Sequence, residues 1–200
     1  MPFIAILGCD GSGKSTVIKH LAEQLLDQNL SIRIGHWRPR IGGTYAINTD
    51  KSAAEHPHAA APRGPISSIL KLCWLGLNWW FEWLRVLRQH ANTGYLIFDR
   101  FHNDLLVDPI RYRYGGSKWL AKAFCKLMPQ PDLVIYLDAP PEVLLSRKRE
   151  VTEEALNRAR KSYLKLCAEH NNYHVLDTTD SIDIVVSKIR NKINTHVRKQ

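Results

Sequence analysis

Two hundred residues, 44% of them hydrophobic, suffice for a well-packed core, and no Gly/Ser linker or charge block divides the chain, so one domain over residues 1–200 is expected. Lys plus Arg number 28 against 19 Asp plus Glu, and the net charge of +9 fits nucleic acid, an anionic membrane or a phosphate-rich substrate as partner. Cys9, Cys73, Cys125 and Cys167 lie far apart with no C-x-x-C pair, which argues against a zinc site and a disulfide framework and predicts free thiols.

The chain opens on a strand-like run at 2–7, which leaves no room for a signal peptide and predicts a cytoplasmic location. Phe3-Ile4-Ala5-Ile6-Leu7 reads as a buried parallel strand. It runs into Gly8-Cys9-Asp10-Gly11-Ser12-Gly13-Lys14-Ser15-Thr16, a complete G-x-x-x-x-G-K-[ST] phosphate loop, and Val17, Ile18, Leu21, Leu25 and Leu26 then recur at helical spacing. Gly8, Gly11 and Gly13 let the backbone turn its N–H groups toward phosphate oxygens, Lys14 brings a movable positive charge, and the hydroxyl of Ser15 suits Mg²⁺. The positive end of the helix dipole adds to the site. The loop therefore favours a phosphate-rich small molecule over nucleic acid as the partner of the basic chain. Asp10 is an unfavourable charge inside such a loop. It fits an acceptor hydroxyl, a substrate sugar or a general-base role, and equally a bond to the loop's own N–H groups. Cys9, in the same electropositive loop, is expected to favour the thiolate.

A second strand-like run at 31–35 leads to His36-Trp37-Arg38-Pro39-Arg40. Residues 37–65, with Pro39, Pro57, Pro62 and Pro65 and several Gly and Ala, read as a long irregular loop. From Ile66 to Trp83 only Lys71 and Glu82 are charged. A membrane span is excluded by topology, because the strands on either side should share one sheet. The segment reads as a helix packed on the sheet, whose Trp74, Trp79, Trp80 and Trp83 serve the core, an acceptor pocket or peripheral membrane contact.

Tyr95-Leu96-Ile97-Phe98-Asp99-Arg100 is a hydrophobic strand ending in an acid, the form of a Walker B element whose carboxylate holds Mg²⁺ opposite Ser15. Arg100 follows at once, and a guanidinium matches phosphate bidentately without losing its charge. Arg111 and Arg113 share one side if their segment is extended, and then suit an anionic acceptor; they fit solvent-facing charges as well. Further strand-like runs at 132–138 and 172–176 complete a parallel sheet with helices on both faces and its ligand crevice at the C-terminal strand edge.

Several of these stretches together resemble the thymidylate kinase family of P-loop nucleoside monophosphate kinases. They are Asp10-Gly11-Ser12-Gly13-Lys14-Ser15-Thr16, Asp99-Arg100 followed by an aromatic, Tyr136-Leu137-Asp138-Ala139-Pro140-Pro141-Glu142-Val143, Arg160-Lys161-Ser162-Tyr163 and Val175-Leu176-Asp177-Thr178. The resemblance implies an α/β P-loop fold with a five-stranded parallel sheet in order 2-3-1-4-5, ATP and Mg²⁺, and a short arginine-bearing lid at about residues 146–153. It implies phosphoryl transfer to a small acceptor, with Lys14, Asp10, Asp99, Arg100, Arg147 and Arg149 in catalysis. Ser15 and Asp99 would hold the metal, and Thr178 would stand beside adenine. Arg38, Arg40, Arg100 and Arg111 would bind the acceptor. A homodimer is compatible with it. The acceptor side departs from the family: Arg38-Pro39-Arg40-Ile41-Gly42-Gly43-Thr44 stands where R-E-P-G-G-T is usual, and the Trp-rich segment replaces an Arg-Ala-rich helix. The run from Phe101 to Gly116 is similar instead to thymidylate-kinase-like proteins, some associated with surface polysaccharide synthesis. Thymidylate is therefore expected to be a poor acceptor, with a nucleoside monophosphate, a sugar or a sugar phosphate as the candidates. The alternative is a P-loop ATPase or nucleotide switch.

Overall fold

The computed structural model describes residues 2–36, 64–89, 94–148 and 151–197. Five parallel strands form one sheet in the order β2-β3-β1-β4-β5. They are β1 (Phe3–Gly8), β2 (Ile32–His36), β3 (Tyr95–Asp99), β4 (Leu133–Asp138) and β5 (Tyr173–Asp177). Between them run α1 (Lys14–Leu26), α2 (Pro65–Gln89), the short α3 (Asp104–Val107), α4 (Lys118–Leu127), α5 (Pro141–Arg147), α6 (Glu153–Ala168) and, last, α7 (Ile182–Val197). The expected α/β architecture and strand order are both present.

Every residue of β1 and β4 is buried, as central strands of a sheet covered on both faces must be, and only Asp138 at the end of β4 is charged. Alternation along the strands then divides the core in two. Phe3, Ala5 and Leu7 join Trp79, Phe98, Phe101, Phe124, Tyr136 and Tyr163 on one face. Ile4 and Ile6 join Val17, Leu21, Ile97, Ile135, Val186 and Ile189 on the other, under α1 and α7. The register pairs Ile6 of β1 with Asp99 of β3 and Gly8 of β1 with Leu137 of β4, so three strand ends converge at the phosphate loop.

Helix α2 packs on the sheet through a narrow stripe. Trp79 is buried with its ring 5.0 Å from that of Phe98, and Trp83 lies 5.2 Å from Phe3. Trp74 and Trp80 are exposed, as are Leu70, Leu77 and Phe81. The tryptophan cluster is thus split between core and surface. Among the described residues no helix is long and apolar enough to cross a membrane.

Candidate active site

The phosphate loop joins β1 to α1. Gly11 and Gly13 have φ of +85° and +80°, a region that favours glycine, and a Cβ on Gly11 would also lie 2.4 Å from the Leu144 carbonyl oxygen. Gly13 forms the N-terminal cap of α1, whose first residue is Lys14. The ammonium of Lys14 donates to the carbonyl oxygens of Gly8 and Cys9, both at 2.9 Å, and lies 3.5 Å from Ser12 Oγ. Burial, together with the positive charge of Arg100, brings its pKa down to about 8. Ser12 is buried, whereas Ser15 and Thr16 are exposed on the first turn of α1.

Asp99 ends β3 beside this loop. Its Oδ1 is buried and has no hydrogen-bond partner among the described residues. A buried carboxylate oxygen without a donor is costly unless something fills the role, and a divalent cation does so. Ser15 and Asp99 supply only oxygen, the donor type that Mg²⁺ takes alongside water and phosphate oxygens. Among the described residues there is no cluster of three or more His, Cys, Asp or Glu that would hold a metal by itself. The residues fit a cation that arrives with a polyphosphate.

Arg100 turns away from the strand with φ of +67°, an uncommon conformation for a side-chain-bearing residue. Its guanidinium holds it there: Nη1 donates to Asp104 Oδ2 at 2.8 Å and Nη2 to Asp10 Oδ1 at 2.7 Å. Asp104 is buried and also accepts from Tyr163 Oη at 2.6 Å and Tyr112 Oη at 3.1 Å. Arg111 Nη1 donates to the second oxygen of Asp10 at 2.7 Å. Burial alone would raise the Asp10 pKa, but Arg100, Arg111 and Lys14 override it and hold the carboxyl far below the usual range. Asp10 is therefore an ion-pair partner that does not take a proton near neutrality.

The segment carrying Arg111 is not extended. Asp108 Oδ1 accepts from the Arg111 N–H, and Tyr112, Arg113 and Tyr114 close turns onto the carbonyls of Pro109 and Ile110. Arg113 consequently has φ of +51°, and the alternation that would have placed Arg111 and Arg113 on one side does not apply. Cys9 also departs from expectation. Its thiol is buried against Tyr136, Sγ to Oη 3.7 Å, and burial pushes its pKa up to about 11. The exposed thiol is Cys73.

At the end of β4, Asp138 receives a bidentate pair from Arg160, Nε to Oδ1 and Nη2 to Oδ2 at 2.8 Å each. Its carbonyl accepts from both the N–H and the hydroxyl of Thr178. Arg147 reaches the same point from α5, donating through Nη2 to the Thr178 carbonyl at 3.0 Å. Arg38, Arg40 and Arg149 lie outside the described residues. The structure thus gathers the phosphate loop, Asp99, Arg100 and Arg111 at the C-terminal strand edge, with Arg147 and Thr178 around the end of β4. Asp104, which anchors Arg100, had no place among the expected site residues. Its i, i+4 spacing from Arg100 was the available signal.

The thymidylate kinase family model matches residues 81–189. A thymidylate kinase from Thermosipho africanus is 27% identical, with 98% of this chain and 99% of that protein covered. One from Francisella philomiragia is 28% identical over 94% and 95%. A probable thymidylate kinase from Pyrobaculum aerophilum is 25% identical over 99% of each. Among solved structures, the thymidylate kinase of Candida albicans superposes with a TM-score of 0.64 at 16% identity, covering 100% of this chain and 93% of that one, a likeness of fold.

Proposed function

This chain belongs to the thymidylate kinase family and is an ATP-dependent kinase; we propose that it transfers the γ-phosphoryl of Mg²⁺–ATP to a small acceptor, a nucleoside monophosphate, a sugar or a sugar phosphate. The observation that carries this reading is the buried Asp99 Oδ1, without a hydrogen-bond partner among the described residues, beside the phosphate loop. In it, Lys14 and the loop amides of Asp10 to Thr16 bind the β- and γ-phosphates, and Ser15 with Asp99 holds the cation. The cation, when bound, neutralises charge on the phosphate oxygens. Arg100 orients the acceptor phosphate from a position over-determined by Asp10 and Asp104. Arg147 stabilises the transferring phosphoryl, and Thr178 flanks the base of ATP. Arg38, Arg40 and Arg149 join the acceptor side and the lid on the strength of their sequence positions alone.

The departures in the acceptor segments favour an acceptor other than thymidylate. ADP release from full-length protein with Mg²⁺–ATP, measured with nucleoside monophosphates, sugars and sugar phosphates in turn and followed by product mass, tests this. Strong stimulation by one phosphate ester, lost on chelation of Mg²⁺, is the expected result. ATP turnover that no small acceptor stimulates but a protein partner does would replace it with the ATPase or switch reading.

A further inference from the structure

Asp104 stands in the first turn of α3, where an acid ordinarily serves the helix end. Its carboxylate is spent on side chains outside α3 instead. Oδ2 accepts from Arg100 Nη1 at 2.8 Å and from Tyr112 Oη at 3.1 Å, and Oδ1 accepts from Tyr163 Oη at 2.6 Å. These donors come from the end of β3, the turn after α3, and α6. Only 1% of the Asp104 side chain is exposed, and the buried ring of Tyr163 is stacked on that of Tyr136 with centroids 4.8 Å apart.

Burial works against the charge of Arg100, and Asp104 is the strongest of the groups that hold it. Asp10 is the weaker anchor, because it divides its two oxygens between Arg100 and Arg111. The pairs with Asp10 and Asp104 spend one N–H on each terminal nitrogen of Arg100, and its other donors have no partner among the described residues, which leaves them for an anion. Arginine has more rotamer freedom to lose than most side chains, so a guanidinium tied to Asp10 alone would present those donors in many directions. We propose that Asp104 is a positioning residue for acceptor binding: clamped by Tyr112 and Tyr163, it fixes the Arg100 guanidinium in the orientation that receives the anionic group of the acceptor. This inference rests on the kinase reading above, in which Arg100 meets the acceptor.

The test titrates inorganic phosphate, standing in for that anionic group, into full-length protein saturated with Mg²⁺ and a non-hydrolysable ATP analogue, so that the phosphate loop is already filled; binding is followed by NMR. Asp104→Asn should weaken phosphate binding by about tenfold, the value of one charge-assisted hydrogen bond, and leave the affinity for the analogue within about threefold. Charge alone predicts the opposite sign, since loss of an anion makes the site more positive. Tyr163→Phe leaves every charged group in place and should weaken phosphate binding by about threefold, and it carries the test if Asp104→Asn does not fold. Beside Arg100→Lys, Asp104→Asn should add less than about threefold, because the fork that it orients is gone. Tighter or unchanged phosphate binding in Asp104→Asn, wild-type affinity in Tyr163→Phe, a full effect of Asp104→Asn persisting beside Arg100→Lys, or no phosphate binding by wild type each overturns the inference. The titration needs no turnover, so the two readings fail separately: ADP release that no small acceptor stimulates removes the kinase reading, whereas the phosphate affinities decide the part of Asp104.

Discussion

Lys14 Nζ donates to the carbonyl oxygen of Gly8 at 2.9 Å, so the cation of the phosphate loop is held by the loop's own backbone. Polyphosphate offers that ammonium full charges in place of carbonyl dipoles. Lys14→Ala should leave the circular dichroism spectrum unchanged and lower phosphoryl transfer by roughly 10²-fold or more, the scale of a preorganised electrostatic donor. Binding should also move protons. With the amine titrating at about 8, phosphate raises its pKa, so nucleotide binding takes up protons, most strongly between about pH 8 and 9. Calorimetry in buffers of different ionisation enthalpy reads this uptake. A buffer-independent enthalpy in that range would mean that the amine is already fully charged.

Asp99→Asn removes the charge from the buried oxygen that has no donor among the described residues. Transfer should fall by about 10²-fold, and the Mg²⁺ concentration for half-maximal rate should rise by about tenfold. Ser15→Ala should move the same Mg²⁺ dependence less. A Mg²⁺ titration superimposable on wild type would remove Asp99 from the metal site.

Thiol labelling should follow exposure rather than the electropositive loop. Cys73 is exposed on α2, while Cys9, Cys125 and Cys167 are buried and their pKa values are raised to about 11, 12 and 11 by burial. Mass spectrometry after brief alkylation should find Cys73 modified first, and Mg²⁺–ATP should not protect it. Labelling that begins at Cys9 and is blocked by nucleotide would show that the loop opens readily in solution.

His102 should make the fold sensitive to acid. It is fully buried on the ring of Phe101, its Nδ1 has no hydrogen-bond partner among the described residues, and burial pushes its pKa from 6.5 down to about 3. Between those values the unfolded chain binds the extra proton, so stability falls as pH falls below 6.5 and the loss is complete near 3. Urea unfolding at pH 7 and pH 4.5 should show wild type losing about 2.5 kcal/mol more than His102→Gln, at about 1.36 kcal/mol per pH unit below 6.5. Equal losses in the two proteins would mean that the imidazole is protonated without cost in the fold.

The phosphate loop was legible because its chemistry is local. Gly11 and Gly13 adopt backbone conformations that their residue type favours, and eight consecutive residues, Gly8 to Ser15, carry the motif. The strands are legible because β1 is apolar and β4 is apolar up to its terminal Asp138, and Asp99 stands out as the acid that ends the apolar run of β3. The strand order came from the resemblance to a known family, since periodicity does not say which strands are neighbours.

Residue order alone specifies the parts: a phosphate loop, a strand-terminal Asp-Arg pair, a basic acceptor side and an α/β alternation with one crevice edge. How the charges pair, and which side chains reach solvent, follows from packing in three dimensions. Asp10 meets Arg100 across 90 residues and Arg111 across 101, and Cys9 is buried against Tyr136 across 127. Ion pairing and desolvation depend on distances in space and on exclusion of water, and both are set by packing between segments far apart in the chain. The same cause splits the tryptophans of α2, because burial of one helix stripe against Phe3 and Phe98 leaves Trp74 and Trp80 outside it and exposed.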